Sequence, residues 1–244
     1  NGSDSGHVRV YQYIGGLWSQ LGSDIDGEAS GDLSGYSVSL NSNGNIVAIG
    51  AHRNNGNGTD SGHVRVYQYS FGSWSQLGSD IDGKDSNDYS GFSVSLNSDG
   101  DIVAIGSRHA SGNGRYSGTV RVYQYISGSW SQLGSDIDGE AAWSYSCIVS
   151  LSSNGLTVAI GAPRAVSLTL TGLEGYVRIY EYIGGSWRKL GSNIVAEANR
   201  DGTGYSVSLS SEGSIVAIGA PYNPGPDSGD PDQNKGLVRI YQHT

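Results

Sequence analysis

Paired aspartates are the first residues here whose type and spacing could do chemistry. Asp24 and Asp26 flank one isoleucine, and the pair returns as Asp80 and Asp82 and again as Asp136 and Asp138, each time followed by glycine. Carboxylates so spaced could hold a divalent cation or a cation-bearing ligand. An Asp-Gly turn can equally turn those oxygens on its own backbone N–H groups. The Asp-x-Asp-Gly spacing lacks the other ligand positions of a calcium loop, so both readings stay open at this point. Arg9, Arg65, Arg121, Arg178 and Arg239 also recur, each with a tyrosine two residues on. Residues i and i+2 share a face of a strand, so a guanidinium stacked on a ring, with a carboxylate from a neighbour, is the expected outcome. The sequence has no Gly-x-Ser-x-Gly elbow, no phosphate-cradling loop with lysine and no histidine-rich ligand spacing, so nothing positive points to an enzyme.

These residues sit in a loud internal repeat. WSQLGSDIDG occurs at 18–27, 74–83 and 130–139, with a worn copy, WRKLGSNIVA, at 187–196. Each period of about 56 residues holds four strand-like runs: SVSL, IVAIG, VRVYQY and the WSQLG run itself. Runs one and two are joined by NSNG-type turns and runs three and four by IGGL-type turns, both short and glycine-bearing. The two-to-three and four-to-one connections are long. No segment has a 3.6-residue period, so almost no helix is expected. A repeated four-stranded meander predicts an all-β protein, a β-propeller of four-stranded antiparallel blades. One propeller is expected over 1–244, with repeats at about 1–35, 36–91, 92–146, 147–204 and 205–244. Third strands number five and the others four each, so the ring closes either at four blades through the termini or as part of a larger ring. A chain that lacks Met and opens in mid-repeat favours the second, as a processed product or a piece of something longer.

Strands one and two carry a family likeness. GFSVSLNSDGDIVAIG at 91–106 and GYSVSLSSEGSIVAIGAP at 204–221 resemble the FG-GAP repeats of integrin-α-type propellers. The Gly-Ala-Pro element is intact at 161–163 and 219–221 and decayed at 50–52 and 106–108. The resemblance implies a secreted or cell-surface binding propeller, a glycoprotein of the cell-adhesion or structural kind, without catalysis. One departure stands out: the family often joins these strands by an acidic calcium loop, whereas Asn41, Asn43, Asn45 and Asn97, Asp99, Asp101 lie in tight turns with too few carboxylates for six to eight oxygen ligands. No cofactor is expected, calcium being the one candidate.

Charge sharpens the functional expectation. In a meander both short hairpins lie on one rim and both long connections on the other. Of 23 acidic residues, 19 fall in the long connections or at the N-terminus, against seven of 14 basic ones. The net charge of −9 argues against nucleic acid, and no apolar run approaches the ~20 residues that cross a bilayer. The one cysteine, Cys147, allows no internal disulfide; it replaces the aromatic of Tyr36, Phe92 and Tyr205 and reads as a small buried hydrophobe. Two N-glycosylation sequons, at Asn1 and Asn57, fall on the acidic rim. On that rim Trp143 stands where the second copy has Asp88, and residues 165–173 bring Val166, Leu168, Leu170 and Leu173 into a loop. Apolar loop residues need cover, which a protein partner or a neighbouring domain of a larger assembly would supply. The expected function is extracellular or cell-surface protein association through the acidic long-loop face. The alternative is a lectin-like propeller with one weak sugar site per repeat.

Overall fold

A computed structural model describes residues 2–164, 175–196, 201–223 and 235–243. Every regular element among them is a β-strand. The strands form a four-bladed β-propeller preceded by an N-terminal half-blade. In blade I, Ser37–Leu40, Ile46–Ala51, His63–Ser70 and Ser73–Gln76 pair in sequence order, and Ile81–Asp82 returns to pair with the third strand. Blade II repeats this with Ser90–Leu96, Ile102–Ser107, Thr119–Ile126, Ser129–Gln132 and Ile137–Asp138. Blade III has Ile148–Leu151, Thr157–Ala162 and Tyr176–Ile183, and its outer strand, Ser186–Val195, runs on unbroken where the Asp-Ile-Asp of the other copies has become Asn-Ile-Val. Blade IV holds Ser206–Leu209, Ile215–Ala220 and Leu237–Gln242. The half-blade has third- and outer-strand segments only, at His7–Val8, Tyr11–Ile14, Leu17–Gln20 and Ile25–Asp26.

The SVSL run explains how the blades fan about an axis. Its apolar residues pack between blades while its serines tie neighbouring inner strands together: Leu96 N donates to Ser39 Oγ (2.9 Å), Leu151 N to Ser95 Oγ (3.0 Å) and Leu209 N to Ser150 Oγ (3.0 Å). The first hairpin turns form a matching ladder, Ser42 N to Ser98 O, Ser98 N to Ser153 O and Ser153 N to Ser211 O. In blades I to III the second strand, IVAIG or TVAIG, is continuously buried; in blade IV it is open on one face. Asn97 Oδ1 accepts from the backbone N–H groups of Gly100 and Ile102, so the side chains of this turn cap the hairpin itself.

The core is a series of like junctions. At the one between blades I and II, Ile46, Ala48, Val64 and Val66 meet Val94, Leu96, Val103 and Ile105. The two ends of the series differ. Val38 and Leu40 are 54% and 49% exposed, against 8% and 7% for their counterparts Val94 and Leu96. Val238 and Ile240 of blade IV are likewise open. Among the described residues no strand pairing joins the half-blade to blade IV.

Candidate functional site

The WSQLG motif is a clasp between blades. Trp74 Nε1 donates to Leu21 O of the preceding repeat at 2.7 Å, Trp130 to Leu77 O and Trp187 to Leu133 O at the same distance. The glycine after each accepting leucine lies under the incoming indole: a Cβ on Gly22 would stand 2.8 Å from Trp74 Cδ1, and one on Gly78 2.9 Å from Trp130 Cδ1. Trp, Leu and Gly are thus fixed at their spacing by one contact used three times. Trp18, which clasps no carbonyl among the described residues, is exposed.

The clasp sets the paired aspartates beside the third-strand arginines. Asp24 takes Arg9 Nε and Nη2 at 2.9 and 2.7 Å and Gln20 Nε2 at 2.7 Å, and the hydrogen bonds from Arg9 and Gln20 hold its carboxyl down at about 2. Asp136 accepts from Arg121 Nε, Lys84 Nζ (both 3.0 Å) and Gln132 (2.8 Å). Among the second aspartates, Asp138 accepts from Thr119 Oγ1 at 2.7 Å, while burial pushes the Asp82 carboxyl up. The backbone carbonyls of Asp26 and Asp138 receive Nη2 of the next blade's arginine, Arg65 and Arg178. Arg65 and Arg178 also lie over Tyr67 and Tyr180, the stacking expected from the i, i+2 spacing.

Asp80 stands apart. Gln76 holds its Oδ1 at 2.6 Å, but Oδ2 faces His63 Nδ1 at 3.5 Å. Glu28, reaching across from the half-blade, brings Oε2 to 3.9 Å from the same nitrogen and Oε1 to 3.3 Å from Arg65. His63 is 1% exposed, and burial pushes its pKa down. The repeat groups Asp80 with the other aspartates and gives no sign of Glu28 and His63, because the histidine recurs only as His7 and the glutamate lies in a different repeat.

The described parts of the long connections gather on one rim, and two concavities open there. One, of about 750 Å³, lies between loops 85–89 and 109–116 over the second blade junction, with Asp85, Asp88, Tyr89, Tyr116, Arg121 and Asp136 in its walls. The other, about 300 Å³, is flanked by Tyr36 and Tyr205, just before the first strands of blades I and IV, and by Phe92, within the first strand of blade II, with Arg108 and Tyr145 beside them. An aromatic chain links them. Tyr36 packs on His52, His52 on Tyr89, Tyr89 on His109, His109 on Tyr116 and Tyr116 on Trp143. Arg115 lies over Tyr116 and Trp143, and Arg108 over Phe92 and Tyr145. Burial holds His52 at about 4 and lowers His109, so the chain carries neutral imidazoles.

Left-handed backbone recurs through these loops, at Leu33 and Asp60 as well as at bulkier residues, and also at Phe71 and Ser127 in the turns between third and outer strands. Tyr89, Tyr116, Trp143 and Tyr145 all have positive φ, between 50° and 67°. Bulky residues seldom take that conformation, and such strain collects at binding and catalytic sites. Trp143 (φ 67°) occupies the place of Gly31 and Asn87, one position before the Asp88 place assigned from sequence. Cys147 also shifts. Its N–H donates to Gly161 O as Gly35 N–H does to Gly50 O, so it takes the glycine position of Gly35 and Gly91, and the aromatic is the residue deleted. It remains buried, its thiol pushed up to about 12. Asn57 Nδ2, the atom a glycan would modify, donates to Gly83 O and Lys84 O at 2.8 and 3.1 Å. Asn1, Val166, Leu168, Leu170 and Leu173 lie outside the described residues.

No family model matches this sequence, and no curated protein does. Solved structures do. Hydrazine synthase of Kuenenia stuttgartiensis is 14% identical with a TM-score of 0.55, over 85% of this chain and 51% of that one. The tricorn protease is 10% identical with a TM-score of 0.52, over 99% of this chain and 24% of that one. A TolB candidate from Agrobacterium tumefaciens is 14% identical with a TM-score of 0.51, over 99% of this chain and 75% of that one. The chain therefore spans about half the length of the first and a quarter of the second. The likeness is one of fold.

Proposed function

We propose that this is a non-catalytic recognition propeller that binds a protein partner through its long-loop rim, at the cell surface or outside the cell. One observation carries the reading: Tyr89, Arg115, Tyr116 and Trp143 are clustered on that rim, three of them on left-handed backbone. Tyr, Trp and Arg are the residues that dominate binding energy at protein interfaces, and strained backbone is retained where function needs it. The rim's carboxylates are tied into arginine, lysine and glutamine contacts that would orient a partner and fix its register. The resemblance to FG-GAP repeats, drawn from 91–106 and 204–221, supports the extracellular setting.

A second reading is favoured by the larger concavity. Its tyrosine walls and the carboxylates of Asp85, Asp88 and Asp136 suit a carbohydrate, whose hydroxyls take hydrogen bonds and whose faces stack on rings. The two readings separate in one experiment. The chain and its Tyr116→Ala and Trp143→Ala variants are immobilised and exposed to surface and secreted fractions, with and without prior deglycosylation. Protein recognition predicts capture that both variants lose and deglycosylation leaves intact. Capture lost on deglycosylation selects the sugar reading, and capture equal in all three chains refutes the rim as the binding face.

A further inference from the structure

The first blade junction holds three side chains in an arrangement found at no other junction among the described residues. His63 Nδ1, Glu28 Oε2 and Asp80 Oδ2 face one another, with ligand-capable atoms of all three residues within 4.8 Å. A tetrahedral zinc ion with ligands at 2.0–2.2 Å sets its ligand atoms about 3.4 Å apart. The observed separations of 3.5 and 3.9 Å from the imidazole, with all three ligand atoms within 4.8 Å of one another, need an inward turn of two partly exposed carboxylates. Each facing carboxylate oxygen has its twin already held: Asp80 Oδ1 by Gln76, Glu28 Oε1 by Arg65. That is the outer support that orients metal-binding carboxylates. Arg65 is itself anchored on Asp26 O at 2.8 Å, so its charge lies behind the pair.

The other junctions supply an independent observation. In the second, the places of Glu28, His63 and Asp80 are taken by Lys84, Thr119 and Asp136, and Lys84 Nζ sits 3.0 Å from Asp136. In the third they are taken by Glu140, Tyr176 and Asn193, and Lys189 Nζ sits 2.9 Å from Glu140. Each of those junctions brings a lysine of the chain to its carboxylate. The first pairs Glu28 with Arg65 and sets a second carboxylate and an imidazole where the lysine would reach.

We propose that the junction between the half-blade and blade I binds a divalent transition-metal ion of the zinc class through His63, Glu28 and Asp80. The donor set of one imidazole and two carboxylates suits zinc better than calcium or magnesium, which favour oxygen ligands alone. The fourth position faces solvent, since both carboxylates are partly exposed, and takes water or a donor from a bound partner. Because the ligands come from the half-blade and from blade I, the ion cross-links two blades that otherwise meet over an incomplete junction.

The test is a calorimetric titration of the metal-stripped chain with zinc chloride, with unfolding temperature as a second readout. One ion per chain and a zinc-dependent rise in unfolding temperature are expected. The variant Glu28→Lys with His63→Thr carries the pairing that the second junction already uses, so it is expected to fold. Its zinc affinity should fall at least ~100-fold, since disturbing even the outer partners of metal ligands costs 10–100-fold. Wild-type chain without a zinc site tighter than millimolar, or a folded double variant that binds like wild type, overturns the proposal.

Discussion

The first and second blade junctions share a frame and differ in chemistry. In both, an indole donates to the leucine carbonyl of the preceding repeat at 2.7 Å and a third-strand arginine lies inside the contact. Above that frame, one junction carries Lys84 on Asp136 and the other Glu28 and Asp80 around His63. The rigid part is made by backbone carbonyls, glycine and Val/Ile packing, none of which depends on the rim residues. The rim can therefore change charge, and even change from an internal cation to a cation site, without disturbing the blades.

The two junctions differ most in the burial of their inner strands. Leu96 is buried in the second junction and its counterpart Leu40 is half exposed at the first. Leu96→Ala should cost about 3 kcal/mol in urea unfolding and Leu40→Ala less than about 1. Equal losses would show that the open face at Leu40 is covered in solution. Next come the clasp glycines. Gly78 and Gly191 both have positive φ, but only Gly78 lies under a tryptophan. Both alanine variants should lose about 1 kcal/mol to backbone strain, and Gly78→Ala about 1–3 kcal/mol more to overpacking against Trp130.

A pH measurement sharpens the comparison on the rim. His52 titrates near 4 in the folded chain against an ordinary 6.5, because it is buried among rings and beside arginines. Between those values the unfolded chain takes up a proton that the folded one refuses. Its contribution is thus complete above pH 6.5 and is lost as the pH falls towards 4. His52→Phe should flatten the stability–pH curve in that window by about 1–2 kcal/mol, allowing for partial solvent access. The smallest effect on stability is expected at Trp143. Trp143→Asn restores the side chain found at Asn87, relieving strain while losing ring contacts with Tyr116 and Arg115. Stability should change by less than about 1 kcal/mol, while capture of the partner falls more than about tenfold.

The meander, its turns and the gathering of long loops on one rim were legible in the sequence because period-2 runs and glycine turns act locally. Arg–Tyr stacking at Arg65 and Arg178 was legible for the same reason, since i and i+2 share a strand face. The site was less legible. Glu28 lies 35 residues before His63 and Asp80 17 after it, and only the docking of one repeat on the next brings them together. A period of 56 residues says which blades touch, not which side chains turn inward. The serines of SVSL looked like the polar half of an alternating strand, yet they bond to the next blade. One deleted residue near Cys147 shifted the alignment, so both Cys147 and Trp143 were placed one position away from where the backbone puts them.

The junctions are one frame on which three side chains decide the chemistry. Moving those side chains tests it directly. Lys84→Glu with Thr119→His builds, around Asp136, the set that the first junction presents around Asp80. Zinc per chain, counted by native mass spectrometry, should rise from one in the wild type to two in this variant. A count that does not rise in the folded variant would contradict the account.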